Sequence, residues 1–232
     1  MNDKPVNINP GTMHNEQGIA EYDELLGLLK ARRSIRLFKN DPIPEGMIEK
    51  IIETARWAPA AGNSQPWEFV IIQEKETIHK LADLYEYQVI EKRWMESIRD
   101  KRIRMFYSGP YPGLDDPQGI NKAVEKVKGR TSFRKAPCLI LHLADGRWDE
   151  AFPIRTKLEK SQQHIITSMA NAVLTMHLAA ASLGLGTQWV SDFGSPWLSG
   201  MAKDLLNIPQ HYMIYDAMPV GFPDHRPGPR YV

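Results

Sequence analysis

Arg32-Arg33-Ser34-Ile35-Arg36 places three guanidinium groups and a hydroxyl within five residues. In an extended segment Arg32, Ser34 and Arg36 share one face, while Ile35 and Leu37 take the other. Two guanidinium forks and a hydroxyl on one face can cradle a phosphate or carboxylate through charge-assisted hydrogen bonds. The same run also fits a solvated basic turn after a helix, where cations offset the C-terminal dipole. A second cluster is Ala58-Pro-Ala-Ala-Gly-Asn-Ser-Gln-Pro-Trp67. Its small residues let a flat ligand approach the backbone closely. Asn63, Ser64 and Gln65 offer donors and acceptors to the edge of a heteroaromatic ring. An ordinary helix–strand loop has the same composition.

These clusters need elements to hold them. Leu25, Leu26, Leu28 and Leu29 predict a helix from Glu21 up to the arginine run. Pro44 suits the first turn of a second helix, which carries Met47, Ile48, Ile51, Ile52 and Ala55 at helical spacing and is expected to stop before Pro59. Residues 67–72 are β-branched and aromatic, the pattern of a strand. A charged helix is expected over about residues 75–105. Residues 107–131 collect Gly109, Pro110, Pro112, Gly113, Pro117 and Gly119, the composition of a lid or a disordered loop. Residues 138–143, 187–190 and 213–220 are further strand candidates, with a short helix over 196–206. Between them, residues 161–183 form a helix that is apolar nearly all round. Such a helix is either central or packed against a second subunit.

Composition limits the possible partners. The 29 basic and 28 acidic side chains leave a formal charge of +1, so no whole-molecule attraction to nucleic acid or anionic membrane is expected. Any bound anion therefore needs a local cluster. With 42% hydrophobic and 25% charged residues, the chain is ordinary for a soluble globular protein. Residues 1–20 are polar and broken by Pro5, Pro10, Gly11 and Gly18, without the apolar segment of a signal peptide. They are expected to form a flexible arm ahead of one domain over 21–232. The single cysteine, Cys138, excludes an internal disulfide and a multi-cysteine metal site, and a cytoplasmic compartment is expected. The seven histidines include no i, i+4 pair, so no metal site is expected. No Gly-x-Gly-x-x-Gly occurs, which argues against a Rossmann dinucleotide site. His142 and His177, within apolar stretches, are expected to be packed and not catalytic.

Four stretches in order, Arg-Arg-Ser-Ile-Arg36, Pro59-Ala-Ala-Gly-Asn-Ser-Gln-Pro-Trp67, Ala179-Ala-Ala-Ser-Leu-Gly-Leu-Gly-Thr-Gln-Trp189 and Val220-Gly-Phe-Pro-Asp-His-Arg226 followed by Pro-Gly-Pro-Arg230, resemble the signatures of the nitroreductase-like FMN-dependent flavoproteins. The resemblance implies an α+β fold with a central, mostly antiparallel sheet flanked by helices. It further implies an intertwined homodimer with FMN at the subunit interface. Arg32, Ser34 and Arg36 match N-terminal flavin-binding positions. The outer arginines would serve the phosphate, the ribityl chain or the pyrimidine end, and Arg33 is a further candidate at the phosphate. Pro59, Ala60, Ala61 and Asn63 match a loop that the neighbouring subunit presents to the ring and ribityl chain. Many relatives have serine where Ala60 and Ala61 stand, which leaves backbone contacts there. Gln188, Trp189 and Val190 match the strand near the flavin N5 edge. Arg226 or Arg230 would close the phosphate site.

The function implied by that resemblance is electron transfer from NAD(P)H through FMN to a small organic acceptor, such as a nitroaromatic or a quinone, by a ping-pong mechanism. The chemistry would reside on FMN with no catalytic side chain, and residues 107–131 would set acceptor size. Relatives with specialised acceptors include dehalogenases, azoline dehydrogenases and a flavin-fragmenting enzyme. A non-catalytic flavin-binding protein, or a helical interaction protein whose arginines bind an acidic partner, are the readings from other classes.

Overall fold

Four strands form one antiparallel sheet in the order β1-β2-β4-β3: β1 Trp67–Ile72, β2 Cys138–Asp145, β3 Gly186–Thr187 and β4 Tyr212–Gly221. The computed structural model describes residues 16–97, 125, 131–225, 227 and 228. The central strand, β2, is buried from Cys138 to Leu143 and beyond to Ala144. A continuous apolar run suits it, because helices cover both of its faces. Its pairing with β1 is regular, from Trp67 opposite Ala144 to Ile72 opposite Leu139. Its pairing with β4 runs from Cys138 opposite Val220 to His142 opposite Asp216, and then skips to Leu143 opposite Ile214. Tyr215 is the extra residue of a β-bulge.

The helices among the described residues are α1 Glu16–Ala31, α2 Met47–Ala55, α3 Lys75–Ser97, α4 Trp148–Ala151, α5 Ile154–Ser182 and α6 Pro196–Leu206. One sheet face meets α2 and α5, where Ile48, Ile51 and Ala55 pack with Ile140, Met169, Met176 and Met218. The other meets α3 and α6, where Ile78, Leu81 and Leu198 pack with Leu139, Leu141, Phe133 and Phe193. Alternate residues of β2 thus supply two cores, as the pleat requires. This is the helix-flanked antiparallel sheet expected from the sequence.

Boundaries differ in several places. The first helix starts at Glu16 instead of Glu21, so residues 16–20 are helical. Residues 1–15 lie outside the described residues. Gly46 adopts a left-handed φ of 80° before α2, which therefore starts at Met47, beyond Pro44. The charged helix is described as far as Ser97. Residues 98–105 and the expected lid, apart from Glu125 and Thr131, lie outside the described residues. The third strand is only two residues long, with Val190 making a separate bridge to Ala217.

The long helix begins at Ile154, seven residues before the apolar pattern does. It is not buried on all sides within one chain. Ile154, Leu158, Ile166 and Leu174, spaced in multiples of four, are 80%, 81%, 40% and 52% exposed. By length and composition α5 could cross a membrane. Its opposite face, with Met169, Ala172 and Met176 fully buried, is built into the protein core.

Candidate functional site

The arginine run follows α1 as non-helical chain and lies beside β3. Ser34 forms a parallel bridge with Thr187, and the Ile35 amide donates to the Thr187 carbonyl at 2.8 Å. Further along, the Lys39 amide donates to Phe222 O and the Asp224 amide to Leu37 O, each at 2.9 Å. Ile35 and Phe38 are the buried anchors. Gly186 makes this approach possible, since a Cβ there would stand 2.6 Å from Ile35 Cγ1. Arg32 and Ser34 consequently border one cavity of about 310 Å³. Val173, Leu174 and His177 of α5 form one wall, and Trp189 stands at its rim, 59% exposed. Arg32 also borders a second cavity of about 240 Å³, shared with Arg33, Thr187 and Pro223.

The other two arginines of the run do different things. Arg33 Nη1 donates to Arg32 O at 2.9 Å and also to Lys30 O, so it caps the carbonyl end of α1. That is the basic-turn reading, realised by one residue of the three. Arg36 is exposed and does not border the Arg32 cavity; its charge instead acts on Tyr85. Burial, followed by the charge of Asp192 and a hydrogen bond to it, pushes the Tyr85 hydroxyl up to about 12, with Arg36 opposing. Arg32 and Ser34 thus border one cavity, and Arg36 does not. The segment leaves regular β pairing after one bridge.

The second cluster docks elsewhere. Gly62, Asn63 and Gln65 have φ of 60°, 52° and 46°, which bends the loop tightly. The Ala61 amide donates to Ser168 Oγ at 3.1 Å, and Asn171 Nδ2 donates to Pro59 O at 3.0 Å, pinning the loop to α5. Pro59 and Asn63 are exposed, whereas Ala60 and Ala61 are half-buried. None of these four borders the Arg32 cavities of the same chain. Gln188 Oε1 accepts from Ser132 Oγ at 2.7 Å, and Val190 is buried, its backbone paired with Ala217 at 2.9 and 3.2 Å. Arg226 and Arg230 lie outside the described residues.

An acid that sequence reasoning passes over, Asp216, lies at the cavity wall together with His177. His142 and Asp216 are wholly buried, with His142 Nδ1 paired to Asp216 Oδ1. His177 Nδ1 is hydrogen-bonded to Thr187 Oγ1 at 2.7 Å. Burial, then repulsion from His142, lowers the His177 pKa to about 4, Asp216 opposing and Arg32 adding a little. His177 is therefore neutral near pH 7. The histidines are packed, as expected, yet His177 and Asp216 both border the site. A lone acid inside the apolar stretch 213–220 was the signal for Asp216.

The chain belongs to the nitroreductase family, whose profile matches residues 29–222. It is 24% identical over 219 residues to a protein of Methanothermobacter thermautotrophicus provisionally named NADH dehydrogenase/NAD(P)H nitroreductase, covering 94% of this chain and 87% of that one. It is also 24% identical over 202 residues to the 5,6-dimethylbenzimidazole synthase of Rhodospirillum rubrum, covering 87% and 82%. Among solved structures, the nitroreductase with bound FMN from Bacteroides fragilis matches with a TM-score of 0.60 at 19% identity, covering 90% of this chain and 94% of that one. The fold is the nitroreductase fold.

Proposed function

We propose that this protein is an FMN-dependent oxidoreductase that passes electrons from NAD(P)H to a small organic acceptor by a ping-pong mechanism. The observation that carries the reading is the delivery of Arg32 and Ser34 into one cavity between α5 and Trp189. The donor set fits a phosphorylated, flat ligand. A guanidinium and a hydroxyl offer charge-assisted hydrogen bonds, and Val173, Leu174 and Trp189 offer apolar and aromatic surface. About 310 Å³ is at the small end of the range for ligand pockets, which supports a site completed by a second chain. The family relation and the FMN bound to the B. fragilis structure support the choice of ligand.

When bound, FMN would supply two-electron transfer, so no side chain need act as nucleophile or general base. Arg32 and Ser34 would hold the phosphate or ribityl chain, with Arg33 behind them and Arg226 or Arg230 closing the phosphate side. Gln188, Trp189 and Val190 would orient the ring edge. Arg36 would reach the pyrimidine end, where a cation stabilises added negative charge. Pro59, Ala60, Ala61 and Asn63 would be presented by a second copy of the chain. Their distance from the Arg32 cavity and the exposed stripe on α5 both support a homodimer. Neutral His177 adds no positive charge to the cavity.

A second reading keeps the fold and changes the acceptor, and the equal identity to a 5,6-dimethylbenzimidazole synthase supports it. The test starts with the absorption spectrum of the purified protein. We expect a yellow protein that NADH or NADPH bleaches anaerobically, with parallel steady-state lines for donor and acceptor. Colourless protein that also fails to take up added FMN overturns the proposal. Yellow protein that neither nucleotide bleaches overturns the NAD(P)H assignment.

A further inference from the structure

The fold positions an acidic group at this cavity for which the electron-transfer reading has no use. Asp216 and His142 are cross-strand partners in the sheet centre, joined through Oδ1 and Nδ1. Asp216 Oδ2 is buried and has no hydrogen-bond partner among the described residues. A buried ionisable pair is a poor substitute for apolar packing, and an unmet acceptor makes it poorer. The bulge at Tyr215 supplies an independent observation. Residues three apart on a regular strand face opposite ways, yet Tyr215 packs in the same core as Met218, on the α5 side of the sheet. The bulge thus brings both Tyr215 and Asp216 to the border of the cavity that holds Arg32 and Ser34. Bulges commonly re-aim side chains beside functional sites.

The chemistry selects the ligand group. An ionised carboxylate only accepts hydrogen bonds, and it repels an anion. A phosphate therefore belongs on the other side of Arg32, towards the cavity shared with Arg33. What suits Asp216 is a neutral hydroxyl on a chain leading away from that anion. We propose that Asp216, braced by His142, accepts a hydrogen bond from a hydroxyl of a phosphorylated polyol, which on the flavin reading is the ribityl chain of FMN. His177 spends its Nδ1 on Thr187 Oγ1 at 2.7 Å and is kept neutral by burial.

The inference rests on the flavin reading, and flavin analogues separate the two. The full-length protein, freed of flavin, is titrated with FMN, riboflavin and lumiflavin, which lacks the polyol, following fluorescence quenching. Wild type should bind riboflavin about tenfold or more tighter than lumiflavin, the scale of one hydrogen bond to a charged group. The double replacement His142→Phe with Asp216→Leu removes both polar partners, and should melt no lower than wild type. It should weaken FMN and riboflavin by about tenfold while leaving lumiflavin within about twofold. Asp216→Asn keeps an acceptor oxygen and should hold FMN within about threefold. Equal binding of riboflavin and lumiflavin by wild type overturns the inference without any variant. So does a double variant that loses lumiflavin as severely as FMN, or one that keeps FMN at full affinity. Wild type that binds no FMN overturns the flavin reading and this inference together.

Discussion

At the residue scale, three neighbouring arginines with similar sequence claims have different surroundings. Arg32 borders both cavities, Arg33 caps α1, and Arg36 stands outside. Arg32→Ala should therefore raise the Kd for FMN by about 10–100-fold, the loss of a charged hydrogen bond, while Arg36→Ala should cost less than about fivefold. Fluorescence titration of the two variants checks the ranking. His177 supplies a prediction about pH. Its folded pKa, about 4, lies below its ordinary value of 6.5, so the unfolded chain takes up the proton first as pH falls. Stability should decline from about pH 6.5 and level off below pH 4, by roughly 3 kcal/mol for this group. Urea unfolding at pH 7 and pH 5 should show the decline, and His177→Gln should flatten it. Burial pushes the Cys138 thiol up to about 12. A disulfide-exchange reagent should label it only when the protein is unfolded, and rapid labelling of native protein would contradict that placement.

At the element scale, the site depends on the close passage of an extended segment over a very short strand. A Cβ at Gly186 would stand 2.6, 2.8 and 2.9 Å from atoms of Ile35. Gly186→Ala should thus destabilise the protein by about 1–3 kcal/mol through overpacking, and should weaken FMN by displacing Arg32 and Ser34. At Gly200, inside α6, a Cβ would meet nothing within 4 Å, so Gly200→Ala should instead stabilise by about 0.5–1 kcal/mol. Thermal melts of the pair give the comparison directly. The same scale shows what was legible beforehand. The strand over 67–72, the β2 run and the helix carrying Ile48 and Ile51 follow from local periodicity. The start of α5 did not, because residues 154–160 mix Ile154 and Leu158 with four charged side chains and leave no apolar stripe that one chain buries.

At the scale of the whole molecule, the proposed site draws on a second copy of the chain. The Pro59–Asn63 loop is pinned to α5 away from the Arg32 cavity, and apolar side chains stand exposed along α5. Exposed apolar side chains grouped along one helix face are what an association surface presents. The protein should sediment at about twice its 26.5 kDa chain mass. Leu158→Glu with Ile166→Glu should shift it towards monomer and release flavin together. Monomeric protein that retains FMN at full affinity would refute a shared site.

The sequence by itself determined the arginine run, the four ordered signatures and the apolar β2 segment. These are properties of residue type and short spacing, and extended or helical periodicity acts over a few residues. Tertiary structure alone decided which arginine meets a cavity, because that depends on where β3 accepts the Ile35 amide. It also decided that His142 and Asp216, 74 residues apart, become partners. Their meeting requires the register of β2 against β4 and one bulge at Tyr215. A register is settled by burying whole faces of two strands together, which no local window of sequence contains.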